Sequence, residues 1–188
     1  MSRLRIFSDQ VTGAADPAPL GEYDDGAAIA EQLRAVGVRF ERWPTHPEIV
    51  AGAAPDAVLA AYDDEIRRLS DAEGYRSADV VSMAPDHPDR AVMRTKFLDE
   101  HTHAEDEVRF FVDGAGLFTL HVGERVFEVL CERGDLIGVP AGTKHWFDMG
   151  PEPAFVAVRL FTNPDGWVAE FTGEDIAGRF PRFERRAA

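Results

Sequence analysis

From residue 107 to residue 161 the sequence is a succession of short apolar runs separated by glycine and acidic residues. V-R-F-F-V, L-F-T-L-H-V, R-V-F-E-V-L and L-I-G-V alternate with D-G-A-G, G-E and E-R-G-D. Such spacing indicates antiparallel strands joined by turns, closed into a barrel or sandwich. V-G-E-R predicts a tight hairpin, and the later A-F-V-A-V-R-L-F-T adds another long strand. We therefore expect a mainly β fold.

The residues before about position 90 mix short strands with helices. Asp24 or Asp25 is a plausible N-cap for the first helix, and Gly37 ends it. The second helix carries apolar residues at helical spacing and closes at Gly74. The predicted elements are a strand at 3–7, a helix at 25–36, a helix from 55 to Gly74, a strand at 79–83 and a short helix at 90–97.

Length and charge limit the kinds of partner. At 188 residues the chain suits one domain with a sizeable core, and its net charge of -14 argues against nucleic acid and anionic membranes. No run approaches the ~18 apolar residues of a membrane span, and the N-terminus has no signal-like apolar region. The lone Cys131, in F-E-V-L-C-E, predicts a buried strand thiol in a reducing compartment. We expect a cytoplasmic protein.

The segment E-H-T-H-A-E-D-E contains three candidate metal ligands, and a histidine further along the chain completes the set. His101 and His103 are two positions apart, so on an extended segment both rings point to one face. Glu107 follows, and His145 stands in P-A-G-T-K-H-W. Imidazole suits divalent iron, nickel, copper and zinc, while the carboxylate disfavours metals that prefer thiolates. Two coordination positions of an octahedral ion would stay open, which favours binding of a bidentate substrate.

The alternative for each histidine is a role without metal. An H-x-H pair on its own is often surface decoration, and motif matches include false positives. His46 in P-T-H-P and His87 in D-H-P-D stand in loop-like contexts. His121 ends L-F-T-L-H and could face the barrel or solvent. The metal hypothesis therefore depends on the whole constellation.

The two motifs resemble those of the cupin superfamily. K-F-L-D-E-H-T-H-A-E-D-E-V-R-F-F-V-D-G with G-T-K-H-W-F-D-M-G is similar to the acireductone dioxygenase family of methionine salvage, strongly over residues 95–167. Thr95 and Met149 depart from general cupin positions, but neither is a ligand. The resemblance implies a mainly β cupin double-stranded β-helix barrel with several α-helices, mostly N-terminal. It also implies one domain over 1–188, with an N-terminal part at 1–95, a metal-binding core at 96–170 and a tail at 171–188.

The resemblance further implies an oxygen-dependent cleavage of an acireductone. One Fe²⁺ or Ni²⁺ per chain would be the cofactor, held by His101, His103, Glu107 and His145. In that family the substrate binds the metal as a dianion. The iron form releases formate and 4-methylthio-2-oxobutanoate, and the nickel form releases formate, carbon monoxide and 3-methylthiopropanoate. The expected partners are the small-molecule acireductone and O₂, and we expect a monomer.

Several neighbouring residues are candidate substrate or support residues. Arg109 shares the inward parity of Glu107, and by the resemblance it stabilises or generates the substrate dianion. The alternative for Arg109 is an internal salt bridge with an acidic residue. Phe147 shares parity with His145, and Phe97 and Trp167 match family positions beside the apolar tail of the substrate, although aromatic residues are more often core.

Two acidic residues flank the ligands. Glu100 and Asp106 match family positions linked to metal incorporation and to changes around the site, and by parity both point away from the metal. Support of the ligands and plain solvation are both open for them.

Two rival functions remain. Another cupin dioxygenase or isomerase could use the same ligands, although F-F-V-D-G-A-G and H-W-F-D argue against it. A non-catalytic ligand-binding cupin usually lacks a ligand residue or carries a DNA-binding domain, and neither is found in this sequence.

Overall fold

Antiparallel strands dominate the structure, as the sequence predicts. The computed structural model describes residues 1–11, 17–50, 52–163 and 168–184. Its strands are β1 (Arg3–Ser8), β2 (Gly21–Tyr23), β3 (Arg39–Arg42), β4 (Ser77–Met83), β5 (His101–Thr102), β6 (Glu107–Val122), β7 (Arg125–Glu132), β8 (Asp135–Val139), β9 (Lys144–Asp148), β10 (Phe155–Phe161) and β11 (Glu170–Phe171). Its helices are α1 (Gly26–Arg34), α2 (Pro55–Ala61), α3 (Asp63–Glu73) and α4 (Arg90–Lys96), followed by a 3₁₀ turn at Ile176–Arg179. No helix of the described residues is long and apolar enough to cross a membrane.

Strand β6 belongs to both sheets of the fold. Its first half pairs with β8 and β10, and its second half pairs with β7 and β9. The prediction of a turn at D-G-A-G is therefore wrong, because the strand bends there and continues. Gly114 has a φ of 77°, and a Cβ at this residue would lie 1.9 Å from the carbonyl oxygen of Ala154. Only glycine permits both the left-handed backbone and this close approach.

The two sheets enclose one apolar interior and cover it on both sides. One sheet runs β11-β5-β9-β6-β7-β1-β2, and β4, β10, β6, β8 and β3 form the other. The N-terminal strands β1, β3 and β4 thus extend the barrel sheets. Inward side chains of the two sheets form the central core, where each buried large apolar side chain contributes roughly 1.5–3 kcal/mol. They include Phe111, Phe118, Leu120, Val129, Ile137, Phe147 and Phe155.

The outer faces are also covered, which explains why the strands are apolar on both sides. Val108 and Phe110 of β6 pack outward in one cluster with Val58, Tyr62 and Leu69 from α2 and α3. On the other sheet, the C-terminal 3₁₀ segment packs its apolar residues on Phe7, Val126 and Trp146. The tail, expected as a strand or loop on the outside, contains β11 and this turn, while 185–188, expected to fray, lie outside the described residues.

The helices agree with the sequence at their caps and differ at one break. Asp25 caps α1 by accepting a hydrogen bond from Ala28 N at 2.9 Å. The single helix expected from residue 55 to Gly74 is instead α2 and α3, which divide at Tyr62. The buried Tyr62 hydroxyl accepts a hydrogen bond from His46 N at 3.1 Å, and its ring contacts Phe110 at a centroid distance of 4.9 Å. This anchor holds the backbone of Tyr62 at φ -114° and ψ 18°, outside the helical geometry.

Candidate metal centre

Three imidazoles meet inside the barrel. His101 lies on β5, His103 in the loop after it, and His145 on β9, where it pairs directly with His101. One ring nitrogen of each lies within 4.8 Å of the others. All three side chains are buried. The histidine pair at i and i+2 thus shares one face, and the fold brings the third imidazole to it across the strand pair.

The carboxylate of Glu107 completes the cluster from the start of β6. Its Oε2 lies 3.2 Å from His103 Nε2 and 3.1 Å from His145 Nε2. Its Oε1 accepts a hydrogen bond from Arg109 at 2.6 Å. One oxygen therefore faces the imidazoles while the other faces the cation.

Backbone carbonyls select the tautomer of every imidazole in the cluster. The Nδ1–H of His101 donates to Asp99 O at 2.8 Å, and that of His145 donates to Thr143 O at 2.8 Å. The Nδ1–H of His103 donates to Val168 O at 3.2 Å. With Nδ1 protonated, a neutral ring presents the lone pair of Nε2 to a bound cation, whereas in the metal-free protein a protonated Nε2 of His103 or His145 donates to Glu107 Oε2. The residues therefore fit a divalent transition metal, since three neutral nitrogens and one carboxylate oxygen converge.

The electrostatics favour charged Glu107 and neutral His101. Burial raises the pKa of Glu107, but Arg109 and the hydrogen bonds to His103 and His145 outweigh it and hold the pKa well below its usual range. Burial, helped by the charge of His145, lowers the pKa of His101 to about 4. For His103, burial lowers the pKa, but Glu107 outweighs it and the net shift is upward. The anion is thus ready to bind a cation at neutral pH.

Arg109 lies between aromatic rings as well as beside Glu107. Its guanidinium carbon is 4.4 Å from the ring centroid of Phe147 and 5.1 Å from that of Phe118. Phe147 is buried and packs at 4.8 Å from Phe118. The inward parity predicted for Arg109 and Phe147 is confirmed. The internal salt bridge that was the alternative for Arg109 also exists, and its acidic partner is Glu107.

The two acidic residues beside the ligands point away from the imidazoles. Asp106 Oδ1 accepts a hydrogen bond from Ala141 N at 2.8 Å, and His103 O accepts one from Gly142 N at 2.9 Å. These bonds tie the first motif to the turn before His145. Glu100 is buried at 1% exposure and makes side-chain hydrogen bonds on the far side of β5. Neither residue is merely solvated.

Phe97 borders the cluster, and Trp167 lies outside the described residues. The ring centroid of Phe97 is 6.3 Å from that of His101, and its backbone oxygen accepts a hydrogen bond from Phe147 N at 2.9 Å. Phe97 is therefore placed beside the histidines by the strand that carries His145.

Comparisons with known proteins decide the family. Residues 25–169 match the ARD/ARD' family. The chain belongs to this family. Acireductone dioxygenase of Hahella chejuensis (strain KCTC 2396) is 57% identical over 185 residues, which cover 98% of this chain and 97% of that protein. Acireductone dioxygenase of Stenotrophomonas maltophilia (strain K279a) is 57% identical over 183 residues, covering 97% of each.

A solved structure supports the same assignment. It is an acireductone dioxygenase from Bacillus anthracis with a cadmium ion in its active centre, 29% identical and similar with a TM-score of 0.76. The match covers 91% of this chain and 98% of that one. The cupin barrel expected from the sequence is confirmed. As a member of the ARD/ARD' family, the chain is an enzyme, a metal-dependent dioxygenase of methionine salvage.

One residue of this ARD/ARD' family member was missed by the sequence reasoning. Arg159 on β10 pairs directly with Arg109, so both side chains lie on the inner face. Arg159 makes two hydrogen bonds to Asp79 of β4, at 2.7 and 2.5 Å. The signal was available in A-F-V-A-V-R-L-F-T, where Arg159 has the parity of the buried Phe155 and Ala157. A charged residue at an inward position of a core strand is a candidate functional residue.

The other singled-out residues lie outside the cluster. His46 and His87 are in loops, as expected. Cys131 is a buried strand thiol, as predicted, and burial raises its pKa well above the usual range, which keeps the thiol protonated at neutral pH. His121 faces away from the metal cluster and bonds to Glu100.

Proposed function

We propose that this enzyme holds one Fe²⁺ or Ni²⁺ through His101, His103, Glu107 and His145 and cleaves an acireductone with O₂. The substrate is 1,2-dihydroxy-3-oxo-5-methylthiopentene. The observation that carries the proposal is the convergence of three imidazoles, each with Nδ1 tied to a carbonyl, together with the approach of Glu107 Oε2 to two of them. When bound, the ion would supply Lewis acidity and open coordination positions for two substrate oxygens.

The chain's own contribution begins with charge. Arg109 is buried and lies against Phe147, where its cation is poorly screened by water. A fixed positive charge at this place lowers the pKa of a nearby enediol and so favours the dianion. The guanidinium of Arg109 also forms an ion pair with Glu107, and this ion pair keeps the ligand carboxylate ionised. Arg109 thus prepares both the site and the substrate.

The second contribution is shape. Phe97 borders His101, and Phe147 packs against Phe118 and the guanidinium of Arg109. In the proposal these apolar rings suit a methylthio tail and exclude water from the reacting end. We assign Trp167 to binding of the same apolar tail on the strength of its match to the family motif. Glu100 and Asp106 hold the segments that carry the ligands.

The bound metal selects the products in this proposal. Nitrogen and carboxylate ligands accept iron and nickel alike, so the supply of metal decides which form exists. The iron form yields formate and 4-methylthio-2-oxobutanoate. The nickel form yields formate, carbon monoxide and 3-methylthiopropanoate.

We further propose a single-domain monomer that works in the cytoplasm and binds no nucleic acid. Support comes from strands β1, β3 and β4, which pair with the barrel strands, and from the net charge of -14. Light scattering of the holoenzyme tests the mass against the 20.8 kDa of one chain.

The decisive experiment loads the metal-free protein with iron or nickel and mixes it anaerobically with synthetic acireductone before oxygen is added. We expect rapid oxygen-dependent loss of substrate absorbance, formate from both forms and carbon monoxide from nickel alone. His103→Ala should abolish metal content and turnover, because it removes one nitrogen of the set. His87→Ala, in a loop away from the cluster, is the matched control.

Two results would contradict the proposal. If His103→Ala keeps metal or turnover, the ligand assignment fails. If the wild type binds metal but acireductone decays only at its uncatalysed rate, the substrate assignment fails and another cupin dioxygenase or isomerase becomes the better reading.

A further inference from the structure

A polar cluster around one buried carboxylate lies directly behind the metal ligands. It consists of Glu100, His121, Lys144 and Thr172, and we call it the Glu100 cluster. Glu100 precedes His101 in sequence, and Lys144 immediately precedes the ligand on β9. Side chains alternate between the faces of a strand, so these neighbours of ligands point to the opposite side. His121 belongs to the cluster because it pairs with Lys144 across β6 and β9.

The carboxylate of Glu100 is the centre of this cluster. Its side chain is 0% exposed. Oε1 accepts a hydrogen bond from His121 Nδ1 at 2.6 Å, and Oε2 accepts one from Thr172 Oγ1 at 2.8 Å. Lys144 Nζ lies 3.9 Å from Oε2. A buried carboxylate is tolerated only with such donors, so removal of one leaves a costly unmet acceptor.

Strand β5 depends on side chains because its backbone pairing is short. It contains two residues, and it pairs with β9 through His101 and His145 alone. On its other edge it pairs with β11, also two residues long. Thr172 adds to this edge, because its backbone N donates to Glu100 O at 3.1 Å. The Glu100 cluster thus joins the ligand strand to β6 and to the C-terminal segment.

The same C-terminal segment also contacts both ligand rings of the first motif. Val168 O accepts the hydrogen bond from His103 Nδ1 at 3.2 Å. The ring centroid of Phe171 is 5.7 Å from that of His101. Displacement of residues 168–172 would therefore change the orientation of both imidazoles.

We propose that His121 and Thr172 are positioning residues for the metal centre, acting through Glu100. Their hydrogen bonds hold β5 between β6 and residues 168–172, so that His101 and His103 present Nε2 at a fixed angle. The inference rests on the proposed ligand set. It assigns a role to two residues that neither touch the metal nor belong to its binding motifs.

The test uses Co²⁺ as the probe, loaded into the metal-free full chain. The readouts are the visible absorption spectrum of bound Co²⁺, its rate of release to a chelator, and kcat/KM of the iron form. Thr172→Val keeps the shape and loses the hydroxyl, and we expect Co²⁺ release to be roughly tenfold faster, with a changed spectrum. Thr172→Ser should restore the wild-type rate because it keeps the donor.

A matched control comes from the same sheet. Thr119 on β6 is buried, and its hydroxyl has no hydrogen-bond partner among the residues that the structure describes. Thr119→Val should therefore leave Co²⁺ release and the spectrum unchanged. His121→Gln is an independent second variant, since its amide can still donate to Glu100, whereas His121→Ala cannot. We expect the alanine variant to release Co²⁺ faster than the glutamine variant.

The outcomes test the positioning role and the proposed function separately. Wild-type release and spectrum in both Thr172→Val and His121→Ala would overturn the positioning role. Equal behaviour of Thr172→Val and Thr172→Ser would also overturn it, because the hydroxyl would then not matter. Faster release in the expected variants without acireductone turnover in the wild type would support positioning and refute the substrate.

Discussion

The first ligand motif of the metal centre spans two unlike segments, while His145 stands on β9. Glu107 stands on β6, a strand of 16 residues that is paired on both edges. His101 stands on β5, which has two residues, and His103 follows in the loop. Backbone ladders hold the first segment, whereas side-chain hydrogen bonds hold the second. The difference teaches that the charged pair of Glu107 and Arg109 is part of the scaffold, while the imidazoles of His101 and His103 are attached to it through a short strand and a loop.

The largest expected effect is a difference in stability between two variants, each of which lacks a ligand on one of these segments. Glu107→Ala removes the carboxylate 2.6 Å from the buried guanidinium of Arg109, and we expect a loss of about 3–5 kcal/mol in the free energy of unfolding. His101→Ala removes a ring with a pKa of about 4, which is neutral at pH 7, and its hydrogen bond to Asp99 O, worth about 1 kcal/mol. Both variants should bind no metal.

The measurement is urea unfolding of the metal-free variants, combined with metal analysis after loading. Equal losses of stability in the two variants would break the comparison, because β5 would then be as integral to the scaffold as β6.

The second effect tests the bend that lets β6 join both sheets. Gly114→Ala would place a methyl group 1.9 Å from Ala154 O at a positive φ, so we expect a loss of about 3 kcal/mol from strain and overpacking. Gly74→Ala is the matched control, since Gly74 has a φ of 83° and no atom of the described residues lies within 4 Å of a Cβ added there, so it should cost only about 1 kcal/mol. Thermal unfolding measures both. A Gly114→Ala variant no less stable than Gly74→Ala would show that the bend tolerates a side chain.

The third effect concerns the loop side alone. Asp106→Ala removes the hydrogen bond to Ala141 N and leaves the bond between Gly142 N and His103 O. We expect metal affinity to fall roughly tenfold with little change in stability, because the loop that carries His103 gains freedom. Asp106→Asn keeps an acceptor oxygen and should bind metal like the wild type. Competition with a coloured chelator measures the affinity. Equal affinities for the alanine and asparagine variants would contradict a role for the hydrogen bond between Asp106 and Ala141 N in metal binding.

The smallest effect lies in the scaffold far from the ligands. Burial raises the pKa of Asp135, although Glu132 N and Ser2 Oγ donate hydrogen bonds to its carboxylate. The folded state holds the proton of Asp135 more tightly than the unfolded state does. Protonation therefore adds to the free energy of unfolding at low pH, and this contribution is lost as pH rises through the raised pKa. Asp135→Asn has no such titration. The stability of the wild type relative to Asp135→Asn should therefore fall as pH rises above about 4.

Urea unfolding of both proteins from pH 4.5 to pH 7, near and above the ordinary aspartate pKa of about 4, follows this difference. A difference that stays constant, or moves in favour of the wild type as pH rises, would contradict the direction of the shift.

Local features were predictable because neighbouring residues decide them. The cap at Asp25, the glycine stops and the hairpin between Val122 and Arg125 depend on a few adjacent residues, and all are confirmed. The same holds for the parity of Arg109, since strand alternation needs no knowledge of the fold. Gly114 and Tyr62 were read wrongly because their roles depend on distant contacts, with Ala154 and with His46.

The sequence by itself determined which chemical groups are present and on which face of its own strand each one lies. That is enough to predict a nitrogen and carboxylate ligand set, and the two motifs place it in a known family. The tertiary structure alone decided what stands behind each ligand. Val168 O meets His103 across 65 positions, Thr172 meets Glu100 across 72, and Arg159 faces Arg109 from another strand. Such contacts come from packing of whole sheets, a property of the chain as a whole that no short pattern encodes.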